Sequence, residues 1–312
     1  MEQNERKKLT IPVLIKIIKE TIQGIGEDRV VSISGSLAFA TLFSIIPLFS
    51  IIAIIGSIFQ FELDVRLFNQ LQAVLGTEAV EQLQPILAKS VTTEFTNLAA
   101  IISLGVTLFG ATTIFSVLQS SLNVIWHIKP IPKKGWLKFL KNRLLSFSII
   151  LVLAFLLLVT FTITNFITNF TDRIMADFQD VALVFVKIIG TIINIGVTTF
   201  IFVLIFKMLP DAKIKSKDVI VGAIVTTVLF LVGQWGISVY FGLSNVGSVY
   251  GVAAFLAIFL TWIYYSAIIV FVGAEFTQAW ANEMGSKIYP DEYAVATRVV
   301  EIKEEGKPIT DN

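Results

Sequence analysis

One acidic side chain stands out because it lies inside the longest apolar run of the sequence. The run Gly251–Asn282 contains a single charged residue, Glu275. An ionisable group within a membrane helix costs about 2.5–3.5 kcal/mol at the centre on insertion scales, so it is a candidate functional residue. Two interpretations stay open. Glu275 either forms a structural ion pair with a base such as Arg29, Arg143 or Lys207, or it takes part in gating or substrate contact.

The polar side chains around Glu275 share one face of the predicted helix. On a helix of 3.6 residues per turn they fall within an arc of about 140°. They are Thr261, Tyr264, Tyr265, Glu275, Gln278 and Asn282. The rest of the surface is Ile, Leu, Phe, Val and Ala, so the arc is expected to face partner helices or a wet cavity. This run is therefore predicted to organise the bundle.

A second polar stripe lies on an earlier apolar run. Thr112, Ser116, Gln119 and Asn123 are spaced to form a row about 60° wide on a helix. Such a row can pack the bundle through hydrogen bonds or line a cavity. We predict that this stripe and Glu275 line one inward-opening polar cavity, with Arg143 or Arg29 near its mouth. Tyr264 and Tyr265 are further candidate contacts.

Enzymatic chemistry finds little support in the residue types. The chain has no cysteine and one histidine, His127, so no thiolate or paired-histidine site is available. The predicted spans contain no paired-aspartate motif, and the glycines of 242–251 are not accompanied by the lysine of a phosphate-binding loop. His127 is interpreted as an interfacial polar residue. We expect no catalytic residue, no metal, no cofactor and no enzyme.

The overall composition is that of a membrane protein. Hydrophobic residues make up 55% of the chain and charged residues 15%, whereas soluble domains carry about 25% charge. The net charge of +1 gives no field that would attract nucleic acid. The first apolar run is longer than a signal-peptide core, so no cleaved leader is expected.

The apolar runs predict an all-α, polytopic bundle of six transmembrane helices within residues 30–282. The six are Val30–Phe61, Phe95–Ile128, Leu144–Thr171, Val181–Phe206 and two within Val219–Ala274, divided at Phe241–Tyr250. Residues 1–29 carry an amphipathic helix, Leu9–Ile25, that is predicted to lie in the interface rather than pack as a soluble helix. Residues 62–94 are predicted to form extracytoplasmic helices. Residues 283–312 form a C-terminal tail with helical segments such as Asp291–Glu305.

The loop charges predict the orientation. The loops 127–143 and 207–218 hold ten Lys or Arg, whereas 62–94 and 172–187 hold four. Because Lys and Arg favour the cytoplasmic side, both termini are expected in the cytoplasm and the chain in the plasma (inner) membrane. Membrane lipids are the expected partners, and the basic loop 127–143 is a candidate contact for anionic head groups. The oligomeric state stays open.

Three segments together resemble the YihY/BrkB family. They are Leu37-Ala-Phe-Ala-Thr-Leu-Phe-Ser-Ile-Ile-Pro47, the stretch Leu118–His127 ending in Leu-Asn-Val-Ile-Trp-His, and Val249-Tyr-Gly-Val-Ala-Ala with Trp262-Ile-Tyr-Tyr and Gly273-Ala-Glu-Phe276. The resemblance implies a six-span architecture. It also implies a role in export or the cell envelope, since family members are linked to serum resistance and to lipid traffic across the inner membrane. The family's former label, ribonuclease BN, is not supported by the residues of this chain.

Three functions follow as hypotheses. The first is a transporter, exporter or flippase for an amphiphilic or anionic substrate, in which the two polar faces line a shared cavity. The second is a non-transporting structural or partner-binding membrane protein, in which those faces pack against each other without water between them. The third, a hydrolase, is disfavoured for lack of a metal or an acid–base cluster.

Overall fold

The structure is a computed structural model, and it describes residues 9–58, 98–131, 135–137, 140–152, 156, 179–243 and 252–298. These residues are mostly helical. The helices are α1 (Ile11–Glu27), α2 (Val30–Ile58), α3 (Leu98–Ile125), α4 (described over 140–152), α5 (Gln179–Met208), α6 (Ser216–Leu243) and α7 (Val252–Glu283).

Four short strands of the described residues lie together at one end of the bundle. Strand β1 (Ile128–Pro130) pairs antiparallel with β4 (Ala294–Ala296), and β2 (Ala212–Lys213) pairs antiparallel with β3 (Tyr289–Pro290). We call this the strand end of the bundle. The predicted helix over Asp291–Glu305 is wrong for its described part, because residues 294–296 bond to β1 instead. Strand pairing with a distant segment is invisible to local periodicity.

Helix α7 is the centre of the bundle, since it contacts α1, α2, α3 and α6. Its contact with α6 depends on one glycine in each helix, against which a threonine of the other helix packs. A Cβ on Gly222 would overlap Thr277, and a Cβ on Gly273 would overlap Thr226. Each threonine hydroxyl donates a hydrogen bond within its own helix, Thr226 to the Gly222 carbonyl and Thr277 to the Gly273 carbonyl. Small residues thus let the two backbones approach closely.

Four helical segments of the described residues are long and apolar enough to cross a membrane. They are Gly105–Ile125, Ile188–Met208, Ser216–Gly236 and Phe259–Glu283. Val30–Ser44 is a shorter apolar helix. The predicted count of six is not shown, and the predicted helices of 62–94 and most of Leu144–Thr171 lie outside the described residues. Large apolar side chains on the outer faces of these helices are exposed, such as Phe109, Ile192, Val232 and Trp235.

Helix α1 is amphipathic, as the sequence predicts. Ile17 and Thr21 are buried against the bundle, and Lys16 forms an ion pair of 2.6 Å with Glu283 at the end of α7. A row of large apolar side chains on α1 is nevertheless exposed, namely Ile11, Leu14, Ile15, Ile18 and Ile22. This exposed face is the one that membrane insertion would cover, and its place in the interface stays a prediction.

Helix α2 continues through Pro47. The proline ring lies where α3 presents Gly110, since a Cβ on that glycine would come within 2.9 Å of Pro47 Cγ. Gly110 therefore makes room for the ring and brings α2 and α3 together.

Candidate functional site

Glu275 lies in the candidate span Phe259–Glu283 of α7 and is 2% exposed. Its carboxyl group packs against Gly24 of α1, where a Cβ would overlap Glu275 Oε2. The approach of α1 to α7 at this point therefore requires a residue without a side chain. Among the described residues, no lysine or arginine forms an ion pair with Glu275.

A second acid, Asp28, lies beside Glu275. Asp28 follows the last residue of α1, and its N–H donates to the Gly24 carbonyl at 2.9 Å. Its side chain is 7% exposed, and its carboxyl group lies close to the Glu275 carboxyl. Glu275 Oε1 and Asp28 Oδ2 are both buried without a hydrogen-bond donor among the described residues. Two ionised carboxylates in this arrangement would repel each other, so a hydrogen bond between them needs one shared proton.

His127 extends this pair toward the surface. It comes directly after Trp126 at the end of α3, with a positive φ of 52°. Its Nε2 lies 3.3 Å from Asp28 Oδ1, and its Nδ1 lies 3.1 Å from the Gln278 amide nitrogen. An amide N–H that donates to Nδ1 leaves the imidazole proton on Nε2, which then donates to Asp28. The hydrogen bond with the Asp28 carboxylate raises the pKa of His127, although burial acts in the opposite direction.

Backbone contacts hold these side chains in place. The Trp126 indole N–H donates to the Ala274 carbonyl of α7 at 3.1 Å, which fixes the end of α3 beside Glu275. Gln278 is three residues after Glu275 and shares its face of α7. We call Asp28, His127, Glu275 and Gln278 the Glu275 cluster. It joins the end of α1, the end of α3 and the polar face of α7.

The polar stripe of α3 has other partners. Asn123 Nδ2 donates to Asp211 Oδ2 at 3.0 Å, Gln119 Nε2 donates to the same oxygen at 3.4 Å, and the Asp211 N–H donates to Asn123 Oδ1 at 2.9 Å. We call Gln119, Asn123 and Asp211 the Asp211 cluster. All three residues are buried. This part of the stripe therefore joins α3 to the segment between α5 and β2.

Arg143 of α4 contacts the other end of the α3 stripe, at Thr112. Its Nη1 donates to Thr112 Oγ1 at 2.6 Å and to the Phe109 carbonyl at 3.2 Å, and its guanidinium lies 4.0 Å from the Phe109 ring centroid. Ser116 donates within its own helix to the Thr112 carbonyl.

The remaining predicted residues lie elsewhere. Tyr264 lies near Gly35 of α2, and Tyr265 packs against Gly233 of α6, where a Cβ would overlap its ring. Arg29 is exposed with a φ of 51° in the turn before α2. Lys207 donates to the Ile214 carbonyl. The structure thus pairs Thr112 with Arg143, whereas Glu275 faces Asp28, and the shared cavity stays a prediction.

Sequence reasoning missed Asp28, Gly24 and Asp211. Asp28 and Asp211 are loop residues by pattern, and only the folded chain turns them toward a span. Gln278 was found because it shares the arc of Glu275. No group of three or more His, Asp or Glu residues able to hold a metal ion occurs in the described part of the chain.

Comparison with known proteins places the chain in a family. The model of the family described as "Virulence factor BrkB" matches residues 21–295. No solved structure matches.

The relatives are membrane proteins by name. A UPF0761 membrane protein of Rhodospirillum centenum is 25% identical over 93% of this chain and 64% of its own length. One of Chromobacterium violaceum is 27% identical over 80% of this chain and 58% of its own length. One of Pseudoalteromonas translucida is 24% identical over 82% of this chain and 83% of its own length. This chain thus spans about six tenths of the first two relatives' length, and with its apolar helices and the matching family model, it is an integral membrane protein that belongs to the BrkB family.

Proposed function

We propose that the chain is a transporter, exporter or flippase for an amphiphilic or anionic substrate of the cell envelope. The observation that carries the proposal is the buried acid pair of Glu275 and Asp28. A structural ion pair would bring a base to Glu275, which would compensate its burial. A second acid does the opposite, because it adds repulsion to the cost of desolvation.

The unsatisfied oxygens of the pair support the same conclusion. Each buried acceptor without a donor costs about 1–3 kcal/mol. Such a cost at an ionisable group inside a span is typical of sites that bind or move something. The pair also lies where three helices meet, so a change in its protonation or occupancy would act on α1, α3 and α7 together.

A second candidate is a non-transporting structural or partner-binding membrane protein. The Asp211 cluster favours it, because the amide groups of Gln119 and Asn123 donate hydrogen bonds to Asp211 inside the protein. A stripe that is paired in this way packs helices and need not line a path.

Reconstitution into liposomes tests the proposal. A fluorescent NBD-labelled phosphatidylglycerol serves as the probe, and dithionite bleaching reports its movement between leaflets. The full-length protein is expected to accelerate this movement over protein-free vesicles. Glu275→Gln is expected to slow it about tenfold or more, equivalent to roughly 1.4 kcal/mol of barrier, while the protein still accumulates in the membrane.

The control is Glu283→Gln, which makes the same chemical change eight residues later on α7. Glu283 pairs with Lys16 on α1 and lies outside the Glu275 cluster, so its variant should keep the wild-type rate. No acceleration by the wild type, or equal losses in both variants, contradicts the transport proposal and favours the second candidate.

The location and orientation also belong to the proposal: a multi-pass protein of the plasma membrane with both termini in the cytoplasm. Because the chain has no cysteine, a single cysteine at exposed Lys129 should react with an impermeant maleimide only when the inner face is accessible. Labelling from outside intact cells would reverse the orientation.

A further inference from the structure

A basic cavity opens at the strand end of the bundle, and its described lining includes no residue of the Glu275 cluster. Its volume is about 660 Å³, within the range of roughly 300–1,000 Å³ that small-molecule sites occupy. Its walls come from the last turn of α5, the segment around β2, and residues 286–291. The described residues that line it include four lysines, Lys207, Lys213, Lys215 and Lys287, and one acid, Asp291.

The walls are fixed to one another by bonds between segments distant in the sequence. Strand β2 pairs with β3, and the Asp291 N–H donates to the Asp211 carbonyl at 3.0 Å. The Ser286 N–H and hydroxyl both donate to Asp218 Oδ2, at 3.2 and 3.1 Å. The preceding Gly285 permits this approach, because a Cβ there would meet the Asp218 carboxyl group. The cavity is therefore a built feature of the fold.

The charges lining the cavity are only partly compensated. Lys213 lies 3.3 Å from Asp291 Oδ1, and a backbone hydrogen bond from Glu292 holds the pKa of Asp291 below its usual value, so this acid stays ionised near neutral pH. Lys207 donates to the Ile214 carbonyl. Within the described part of the chain, no acid forms an ion pair with Lys215 or Lys287. These two exposed ammonium groups favour an anion in the cavity, and ammonium groups are common ligands of phosphate.

The cavity also lies at the ends of two candidate membrane spans. The candidate span Ile188–Met208 ends there and the span Ser216–Gly236 begins there. Tyr289 lines the cavity and is exposed, and tyrosine is enriched at membrane–water interfaces. A phosphate at this level can belong to a lipid head group or to a soluble ester.

We propose that this cavity binds a phosphate group, carried either by an anionic lipid or by a soluble phosphate ester. The described lining of this site includes no residue of the Glu275 cluster and none of the basic loop 127–143 that the sequence indicated. The proposal goes beyond transport and does not depend on it.

Binding by the purified full-length protein in detergent micelles tests the proposal. The probe is NBD-labelled phosphatidylglycerol, compared with NBD-labelled phosphatidylcholine. The wild type is expected to prefer phosphatidylglycerol. The double variant Lys215→Gln/Lys287→Gln is expected to bind it about thirtyfold more weakly, at roughly fivefold per base. The charge-preserving pair Lys215→Arg/Lys287→Arg should keep the binding.

The matched control is Lys19→Gln/Arg298→Gln, which removes two exposed bases that do not line the cavity and lie outside the basic loop 127–143. It should bind phosphatidylglycerol as the wild type does. Competition by glycerol 3-phosphate separates the two sources: displacement of the probe indicates that a soluble ester suffices, and no displacement indicates that the lipid is required. Both results support the site.

Two results would overturn it: wild-type binding by the Gln double variant, or an equal loss in the Lys19/Arg298 control. Substitutions of exposed side chains rarely unfold a protein, and the melting temperature of each variant checks this. If the Gln double variant does not fold, the single variants Lys215→Gln and Lys287→Gln carry the same test, with about fivefold expected for each.

Discussion

Two buried carboxylates of this protein have opposite surroundings. Asp211 is 8% exposed and accepts hydrogen bonds from Asn123 and Gln119, while its own N–H donates to Asn123. Glu275 is 2% exposed, faces Asp28, and has one oxygen to which no described residue donates a hydrogen bond. Burial is similar at the two positions, whereas the supply of hydrogen-bond donors is not.

The comparison separates a structural acid from a candidate functional one. A buried carboxylate that receives donors compensates much of its desolvation and fixes the elements around it. A buried carboxyl beside another acid retains an electrostatic cost, which is tolerable only if a proton or a bound group relieves it. Replacing the carboxylate by an amide is therefore expected to change the free energy of unfolding in opposite directions at Asp211 and Glu275.

The largest effect is expected for Asp211→Asn. The amide removes one acceptor oxygen and adds a donor that faces the donors of Asn123 and Gln119. The free energy of unfolding should fall by roughly 3 kcal/mol, measured by titration with sodium dodecyl sulfate in mixed micelles. As a control, Asp291→Asn changes a partly exposed acid and should cost less than about 1 kcal/mol. Equal effects of the two variants would mean that Asp211 does not depend on its amide donors.

The second effect concerns the close approach at Gly24. Gly24→Ala places a methyl group against Glu275 Oε2 and should lower the free energy of unfolding by about 2 kcal/mol, as overpacking does. Gly26→Ala is the matched control on the same helix, because a Cβ there meets nothing within 4 Å. It should be neutral or stabilising by up to about 1 kcal/mol through helix propensity. If both variants are stabilising, α1 does not pack on Glu275 as described.

The third effect is smaller and opposite in sign to the first. Glu275→Gln supplies an amide donor within reach of the Asp28 oxygens and removes one acid from the pair. Stability at pH 7 should stay the same or rise by up to about 1 kcal/mol. A loss comparable to that of Asp211→Asn would instead indicate that Glu275 is a satisfied structural acid.

The smallest effect is the pH dependence from His127. Its folded pKa is raised by the hydrogen bond with Asp28, so its contribution to stability is complete below the unfolded pKa of about 6.5. The contribution is lost as pH rises through the higher folded pKa. It should not exceed about 1 kcal/mol, because the side chain is 37% exposed and solvent screens the interaction.

Unfolding titrations between pH 5 and about 9 measure this contribution as the difference between the wild type and His127→Gln. The difference should shrink as pH rises. A difference that stays constant or grows would show that the Asp28–His127 bond does not stabilise the charged imidazole.

Much of the fold could be predicted because its elements are written in local patterns. The apolar runs predict the helices α2, α3, α5, α6 and α7, and the spacing of isoleucines predicts α1. The polar arc of the last run predicts that Glu275 and Gln278 share a face, which they do within the Glu275 cluster. Four of the six predicted spans meet the length and hydropathy of a membrane helix in the described residues.

The candidate site itself was predicted only in part. The stripe of α3 was identified as a polar row, but its partners Asp211 and Arg143 come from segments 88 and 31 residues away from Asn123 and Thr112. The four short strands were missed because two or three residues give no periodicity, and each forms only by pairing with a distant segment.

The sequence by itself determined that the chain is a membrane bundle and which face of each helix is polar, because hydrophobicity and helical period are properties of neighbouring residues. Only the tertiary structure decided which polar groups meet. It set Asp28 rather than a base beside Glu275, since Gly24 lets α1 approach α7 at that level. It placed the Asp211 carboxylate where Gln119 and Asn123 donate hydrogen bonds to it, since the chain reverses direction at Asp211. Partner choice depends on helix packing over long sequence distances, and that is where the difference between a structural acid and a candidate functional one arises.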